Sequence, residues 1–353
     1  MQQNTFLLYG ANGYTGELVA RFAAAYGLQP VLAGRSREKI EPLARQLQLP
    51  FCILPLNNSA EWQKVLQDIP LVVNAAGPYN ITAWPVIEAC LDARAHYIDL
   101  NGDIDVFENI QQYDKAAHEK GIMLLPGAGF DVVPTDCLAL WLKKQLPDAN
   151  QLQIAFTITG SALSRGTAIT TLQKLGLPGA VRRDGVITHE PMGRRGFWMR
   201  FPGYNRKLFT MSIPWGDLST AYVSTGIPHI TTFTGISRFT WWFLKTQSAF
   251  NWLLRKSWMH NIITRIIHRL PPGPDDATRQ KASSLIEATV TNAQGQTATA
   301  YLKCPEAYQL TAHSVLLISK KILEGNYTTG YQTPATAYGE NLVMEIAGVE
   351  RYS

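Results

Sequence analysis

Near its N-terminus the chain carries the stretch FLLYGANGYTG (residues 6–16), an apolar run followed directly by three evenly spaced glycines. The apolar run is typical of a buried strand, and a helical pattern follows the glycines. Three glycines at this spacing permit a tight turn, a close approach of backbone to a pyrophosphate, and close packing of helix on strand. The helix N-terminus adds free N–H groups and partial positive charge. A glycine-rich turn can also end a strand for steric reasons alone. In this strand-loop-helix context we predict a dinucleotide-binding loop formed by Gly10, Asn12, Gly13, Tyr14, Thr15 and Gly16.

Short apolar runs alternate with helical patterns up to about Pro134. This rhythm predicts an α/β domain of the Rossmann type, with a doubly wound parallel sheet, over residues 1–134. Longer β-like runs and Gly/Pro-rich loops follow, so residues 135–332 are predicted to form a second, α+β domain with a mixed sheet. A C-terminal helix, about 333–353, is predicted to pack back on the first domain.

The end of the second strand indicates which dinucleotide is bound. An NAD enzyme places an acidic residue there, against the ribose 2′-hydroxyl, whereas this chain has Gly34, Arg35 and Ser36. A guanidinium can pair with a 2′-phosphate through two hydrogen bonds, and a carboxylate would repel it. We therefore predict NADP(H); the alternative is a solvated surface arginine.

Small residues end the fourth strand and are predicted to let the backbone approach the cofactor at the switch point of the sheet. They are Ala75, Ala76, Gly77 and Pro78. Tyr79 follows, either near the nicotinamide or as an ordinary turn tyrosine.

Polar residues after the next strands are candidates for handling substrate, because ligands of open α/β sheets bind at the carboxyl ends of the strands. The acidic candidates are Asp99, Asp103, Asp131 and Asp136. We favour Asp131, which could instead cap the helix that begins near Pro134. Arg165 is predicted to pair with a substrate carboxylate or phosphate, or else to form a loop salt bridge.

Residues 181–274 differ in composition from the rest of the chain. They hold thirteen Lys or Arg against three acidic residues, and six of the nine tryptophans. Basic amphipathic helices of this kind suit a membrane surface, a lipid-like ligand or a homodimer contact. The alternative is an aromatic-rich helical insertion packed within its own domain.

The overall composition excludes several classes of protein. The net charge of +5 over 353 residues is modest, so no nucleic-acid partner is predicted. The four cysteines show no CxxC or metal-ligand spacing, which predicts reduced thiols and no metal. No signal peptide and no apolar stretch of about 20 residues is evident. We predict a cytoplasmic protein with peripheral membrane contact.

The motifs together resemble the saccharopine dehydrogenase-like oxidoreductases. The likeness rests on Gly13-Tyr14-Thr15-Gly16, Ala33-Gly34-Arg35, Gly77-Pro78-Tyr79, Tyr97 to Asp103 and Gly129 to Asp136, with later matches at residues 164–167, 182–185 and 333–339. Asp103 stands where relatives usually carry Glu, and Val132 where many carry Ser. The resemblance implies a Rossmann domain, a second α/β domain, NADP(H), and hydride transfer to or from a C=N, C=O or C=C bond. The family includes proteins that look like trans-acting enoyl reductases.

From residues and resemblance together we expect an NADPH-dependent reductase. Its substrate, a small molecule or an acyl, lipid-linked group, is expected between the domains near Tyr79, Asp131 and Arg165. The alternative is an NADP(H)-binding sensor or lipid-surface adaptor without turnover.

Overall fold

A computed structural model describes residues 4–173, 176–246 and 256–353. The chain forms two compact units. Unit 1 comprises Met1–Val133 and Tyr308–Ile346, and unit 2 comprises Pro134–Ala307 and Ala347–Ser353.

The strands of the described residues are numbered in chain order. They are β1 Thr5–Tyr9, β2 Gln29–Gly34, β3 Phe51–Ile53, β4 Leu71–Asn74, β5 His96–Asp99, β6 Met123–Leu125, β7 Gln151–Thr159, β8 Gly179–Arg183, β9 Val186–Glu190, β10 Gly196–Met199, β11 Leu208–Ile213, β12 His229–Gly235, β13 Ser283–Thr291, β14 Thr297–Cys304, β15 Gly330–Tyr331 and β16 Glu350–Tyr352.

The α-helices of the same ranges are numbered likewise. They are α1 Tyr14–Phe22, α2 Arg37–Leu47, α3 Ser59–Leu66, α4 Tyr79–Ala93, α5 Ile104–Ile110, α6 Asp114–Lys120, α7 Val133–Gln145, α8 Arg165–Gln173, α9 Asp217–Thr225, α10 Arg238–Thr246, α11 Ser257–Arg269, α12 Asp276–Lys281, α13 Ala307–Leu323 and α14 Pro334–Tyr338.

Unit 1 is built on a parallel sheet in the order β15-β6-β5-β4-β1-β2-β3. The strand order reverses at β1, since the chain continues to β2 on one side and later to β4 on the other. Phe6, Leu7 and Leu8 of β1 are fully buried, as expected of a parallel strand covered by helices on both faces. The predicted Rossmann-type fold is confirmed.

The register at the switch point aligns three loops. Tyr9 pairs with Ala33 on one side and with Asn74 on the other. Because all three strands are parallel, β1 and β4 leave the sheet at this level and β2 ends one residue later, at the same edge.

Unit 2 contains the predicted mixed sheet, ordered β10-β11-β12-β7-β13-β14-β16, with β8 and β9 beside β12. Its central strand β7 runs parallel to β12 and antiparallel to β13. This mixture of directions confirms the prediction of a second α+β domain.

The predicted division into 1–134, 135–332 and a terminal helix at 333–353 differs from the structure after residue 307. Helix α13 belongs to unit 1, because Ser314 donates to the carbonyl of Ala128 at 2.7 Å and Thr311 accepts from the amide of Phe130 at 3.0 Å. The terminal helix is short, since Thr333 caps α14 and Gly339 ends it, and it lies within unit 1, which extends to Ile346. Strand β16 then pairs with β14 in unit 2 rather than packing on unit 1.

The expectation of a helical insertion over residues 181–274 is wrong for its first part. Residues 181–235 contribute strands β8 to β12 and the single helix α9. Within the part of this segment that the structure describes, α10 and α11 alone match the predicted basic amphipathic helices. Trp252 and Arg255 lie outside the described residues. Among the helices that the structure describes, none is long and apolar enough to cross a membrane.

The buried His96 side chain predicts a loss of stability in acid. Its Nδ1 accepts from the amide of Met123 at 3.0 Å, and its ring lies against Tyr327. Burial lowers the pKa of His96 from 6.5 to about 4, so between these values the unfolded state binds a proton that the folded state does not. We expect the free energy of unfolding to fall by about 2 kcal/mol between about pH 7 and about pH 5.

Urea denaturation of wild type and His96→Gln at both pH values isolates this contribution. The variant lacks the titrating ring, so its unfolding free energy should change less with pH. Identical pH dependence in the two proteins would contradict the assignment.

Candidate functional site

The glycine-rich loop passes very close to the loop that follows β4. Gly10 has a φ of +83°, and a Cβ built on it would lie 2.7 Å from the backbone nitrogen of Ala76. Its amide donates to the carbonyl of Ala33 at 2.8 Å. Only glycine fits here, because both the backbone conformation and the neighbouring backbone exclude a side chain.

Helix α1 begins directly above this turn. Gly13 is its N-cap and supplies no capping side chain, and a helix N-terminus of this kind suits an anion. A Cβ on Gly16 would lie 2.5 Å from the carbonyl oxygen of Gly10, which explains how helix and loop pack so closely. Tyr14 and Thr15 occupy the first turn, with the Tyr14 ring edge-on to Tyr308. These features fit the pyrophosphate of a dinucleotide.

The end of β2 lies beside the same loop. A Cβ on Gly34 would lie 3.2 Å from Oδ1 of Asn12, so these predicted cofactor residues are neighbours. Ser36 is the N-cap of α2. Arg35 is exposed, and within the described residues no carboxylate forms an ion pair with it. Arg37, by contrast, pairs with Glu41 at 3.4 Å.

A buried polar network shapes the loop after β4. Asn74 accepts from the amide of Ala76 at 3.1 Å and donates toward Thr82 and Tyr97. Thr82 donates to the carbonyl of Ala76 at 2.6 Å. The half-buried Ala75 and Ala76 and the exposed Gly77 and Pro78 are thus held at the sheet edge.

Sequence reasoning did not identify the Asn74, Thr82 and Tyr97 network. The available signal was a polar residue ending the otherwise apolar strand Leu71–Asn74. A buried amide needs hydrogen-bond partners, and these come from residues far along the chain.

Asp99 ties the ends of β5 and β6 together. It is fully buried, accepts from the Tyr97 hydroxyl at 2.7 Å, and accepts from the amides of Asn101 and Gly127 at 2.9 and 2.8 Å. Burial raises its pKa to about 6, partly offset by these hydrogen bonds. Asp99 therefore serves the architecture of the site rather than direct substrate contact.

Of the two other acidic candidates, one caps a helix and the other is buried inside one. Asp103 caps α5 by accepting from the amide of Asp105 at 3.1 Å. Asp136 is fully buried within α7.

Tyr79 and Asp131 come together at the carboxyl edge of the sheet. Tyr79 opens α4, and its hydroxyl accepts a hydrogen bond from the Leu100 amide. Burial, followed by the negative charges of Asp99 and Asp131, raises the pKa of Tyr79 well above its usual value. The Asp131 carboxylate lies only 2.5 Å from where a Cβ on Gly102 would be, so that glycine leaves room for it.

Arg165 lies in unit 2, at the start of α8. Its amide donates to the carbonyl of Pro272 at 3.0 Å, and its Nε donates to the carbonyl of Leu270. These contacts hold the segment that follows α11. In this structure the Arg165 Nε is thus committed to backbone rather than to the predicted loop salt bridge.

The N-terminal site belongs to a known class of nucleotide-binding domain. Residues 6–125 match the family model described as "Saccharopine dehydrogenase NADP binding domain". This part of the chain is thus similar to NADP-binding domains of the saccharopine dehydrogenase type, in agreement with the resemblance drawn from the motifs.

Curated relatives agree over part of their length. A human "Saccharopine dehydrogenase-like oxidoreductase" is 28% identical over 40% of this chain and 37% of its own length. A Caenorhabditis elegans "Lipid droplet localized protein" is 28% identical over 54% of this chain and 49% of its own. A Mycobacterium tuberculosis "Trans-acting enoyl reductase" is 32% identical over 37% of this chain and 33% of its own. The chain thus spans half or less of these relatives.

A solved structure extends the likeness to both units at the level of fold. Apo saccharopine dehydrogenase (L-Glu forming) from Saccharomyces cerevisiae superposes with a TM-score of 0.70, over 99% of this chain and 100% of that one. Sequence identity is 12%, so the comparison establishes the fold alone.

Because the backbone around Gly10 is crowded, a single added methyl group is expected to weaken cofactor binding strongly. We expect Gly10→Ala to weaken NADPH binding by about tenfold or more, because the loop must move off the Ala75-Ala76 backbone. Gly27 is a matched control, since it also has positive φ (+71°) but would meet nothing within 4 Å.

Gly27→Ala should cost about 1 kcal/mol of stability, through backbone conformation, and leave the affinity unchanged. Calorimetric titration and thermal melting of both variants test this. Equal NADPH affinities in the two variants would rule out the close approach as the reason for Gly10.

Proposed function

We propose that this protein is an NADPH-dependent oxidoreductase that reduces an acyl or otherwise lipid-linked substrate. The observation that carries the proposal is the glycine loop, whose Gly10 and Gly16 leave no room for side chains beneath an uncapped helix N-terminus. The match of residues 6–125 to an NADP-binding domain supports the same cofactor.

The preference for NADPH over NADH rests on Arg35. It follows the last residue of β2, near the Asn12 side chain of the phosphate loop, and no acidic residue of the described chain neutralises it. A free guanidinium at this position suits a 2′-phosphate, and the absence of an acidic residue removes the usual partner of the NADH ribose.

Replacing Arg35 with Asp should reverse the cofactor preference. Loss of a charge-assisted phosphate contact weakens NADPH binding by roughly tenfold to hundredfold. The new carboxylate can accept from the 2′-hydroxyl of NADH, so NADH affinity should hold or improve. Titration calorimetry with both nucleotides measures the change.

Arg37→Ala is the matched control, because Arg37 is already paired with Glu41. We expect it to leave the NADPH to NADH ratio almost unchanged. The assignment fails if wild type binds both nucleotides equally and Arg35→Asp alters neither affinity.

We assign Tyr79 and Asp131 to substrate binding and proton transfer at the nicotinamide end of the cofactor. NADPH supplies a hydride to the substrate carbon, and reduction of C=O or C=C also requires a proton on the neighbouring atom. Like any tyrosine, Tyr79 is protonated at neutral pH, and burial together with Asp99 and Asp131 raises its pKa further. Since its oxygen accepts from Leu100, its own O–H is available to donate.

A phenol of raised pKa yields its proton only to a strongly basic atom. The oxygen or carbon that receives electrons when hydride adds to C=O or C=C is such an atom, whereas a protonated imine needs no proton on accepting hydride. Tyr79 therefore favours C=O or C=C over C=N, and Asp131 orients the substrate beside it. The mycobacterial relative is named as an enoyl reductase, which agrees with C=C reduction.

Tyr79→Phe should lower kcat by about a hundredfold while NADPH affinity stays constant, since the phenol acts in the chemical step. Asp131→Asn should raise KM more than it lowers kcat. Turnover is followed by NADPH absorbance with a 2-enoyl thioester, a 3-ketoacyl thioester and a cyclic imine. Tyr26→Phe is the control, because the Tyr26 hydroxyl contacts His313 beyond the far end of α1.

If NADPH binds but none of these substrates is turned over, the non-catalytic sensor is the better description. If Tyr79→Phe loses stability and keeps full turnover per folded molecule, the tyrosine is structural.

We further propose that the protein works in the cytoplasm, in peripheral contact with lipid. The worm relative carries lipid droplet localisation in its name. A lipid-linked substrate would also be met most often at such a surface.

A further inference from the structure

Helices α10 and α11 of unit 2 each turn an apolar face to solvent. On α10, the exposed large apolar side chains are Phe239 (85%), Trp242 (56%) and Phe243 (56%). Their spacing of three and four residues puts them on one side of the helix. Exposed aromatic clusters of this kind mark interaction sites rather than ordinary surface.

The opposite side of α10 holds the helix on the protein. Trp241 donates through Nε1 to the carbonyl of Gly193 at 2.8 Å, and its ring packs against Phe209. Lys245 lies over the same indole. The exposed face is therefore presented by an anchored helix.

Helix α11 repeats the arrangement. Trp258 (52%), Ile262 (46%) and Ile266 (55%) follow one another every four residues and form one exposed stripe. Exposed Arg265 and Arg269 lie along it. Ile267, on the other side, is buried, and the helix packs on α8.

The charge of residues 218–274 indicates what kind of surface binds to these two helix faces. No Asp or Glu occurs from Leu218 to Pro274, whereas six Lys or Arg residues occur between Arg238 and Arg269. In a two-fold dimer formed through these faces, the basic residues of one subunit would face the same basic residues of the other. No acidic side chain of the segment would neutralise their repulsion. An anionic phospholipid surface instead attracts the basic heads, while aromatic and aliphatic side chains enter the headgroup boundary.

We infer that the exposed faces of α10 and α11, defined by Phe239, Trp242, Phe243, Trp258, Ile262, Ile266, Arg265 and Arg269, dock the protein on anionic phospholipid surfaces. The inference rests on the proposed lipid contact and is independent of catalysis. The proposed lipid contact is thereby confined to two helix faces within residues 181–274.

Vesicle flotation of the full chain tests the inference, with phosphatidylcholine alone and with phosphatidylglycerol added. Wild type should float with the anionic vesicles, less at high salt and least with phosphatidylcholine alone. Phe239→Ser with Phe243→Ser, and separately Ile262→Ser with Ile266→Ser, should each weaken binding about tenfold or more. Arg265→Gln with Arg269→Gln should weaken it and reduce its salt dependence.

The matched control is Ile81→Ser with Val186→Ser, two equally exposed apolar residues away from these helices. It should bind vesicles as wild type does. NADPH affinity and melting temperature should be unchanged in every variant, which separates failure of docking from failure of the proposed oxidoreductase.

Three outcomes would overturn the inference. Wild type could ignore anionic vesicles, the control could lose binding as much as the helix variants, or sedimentation could reveal a dimer that the Phe239 and Phe243 substitutions dissociate. The last result would assign these faces to a second copy of the chain.

Discussion

The structure of unit 1 depends on one close contact, the passage of the Gly10 backbone over Ala75 and Ala76. The register of β1 between β2 and β4 brings these loops to one level. Because Gly10 has no Cβ, the two loops can touch. Gly16 also lacks a Cβ, which lets α1 start directly above the glycine-rich turn. The positions of the glycine-rich turn, of the arginine after β2 and of the tyrosine that opens α4 therefore result from strand pairing combined with backbone contact.

Much of this site could be predicted from the sequence because its determinants are local. The glycine spacing, the arginine after β2 and the small residues after β4 each specify their own loop. The Asn74 to Tyr97 network could not be predicted, since its hydrogen bonds join residues 23 positions apart. Asp99 was a candidate for substrate contact by its position after β5, whereas burial commits it to backbone amides.

The less successful predictions concern pairing between distant segments. The residues of α13 themselves indicate a helix. Its assignment to unit 1, however, depends on the hydrogen bonds of Thr311 and Ser314 with the backbone of residues 128–130. Residues 350–352 show no strand signal by themselves and become a strand by pairing with β14. In the basic segment, composition indicated an interaction surface but did not separate the sheet residues from the two helices that carry exposed aromatics.

The interleaved path of the chain through its two units bears on how the protein is made. Unit 1 takes its last strand of the parallel sheet from Gly330–Tyr331, and unit 2 takes its edge strand from Glu350–Tyr352. When residue 133 has just been synthesised, the helix that contacts residues 128–130 has yet to be made. Neither sheet is complete until the strands at residues 330–331 and 350–352 have followed, so apolar surface in both units stays exposed for longer than in a chain of consecutive domains, and exposed apolar surface favours binding by chaperones.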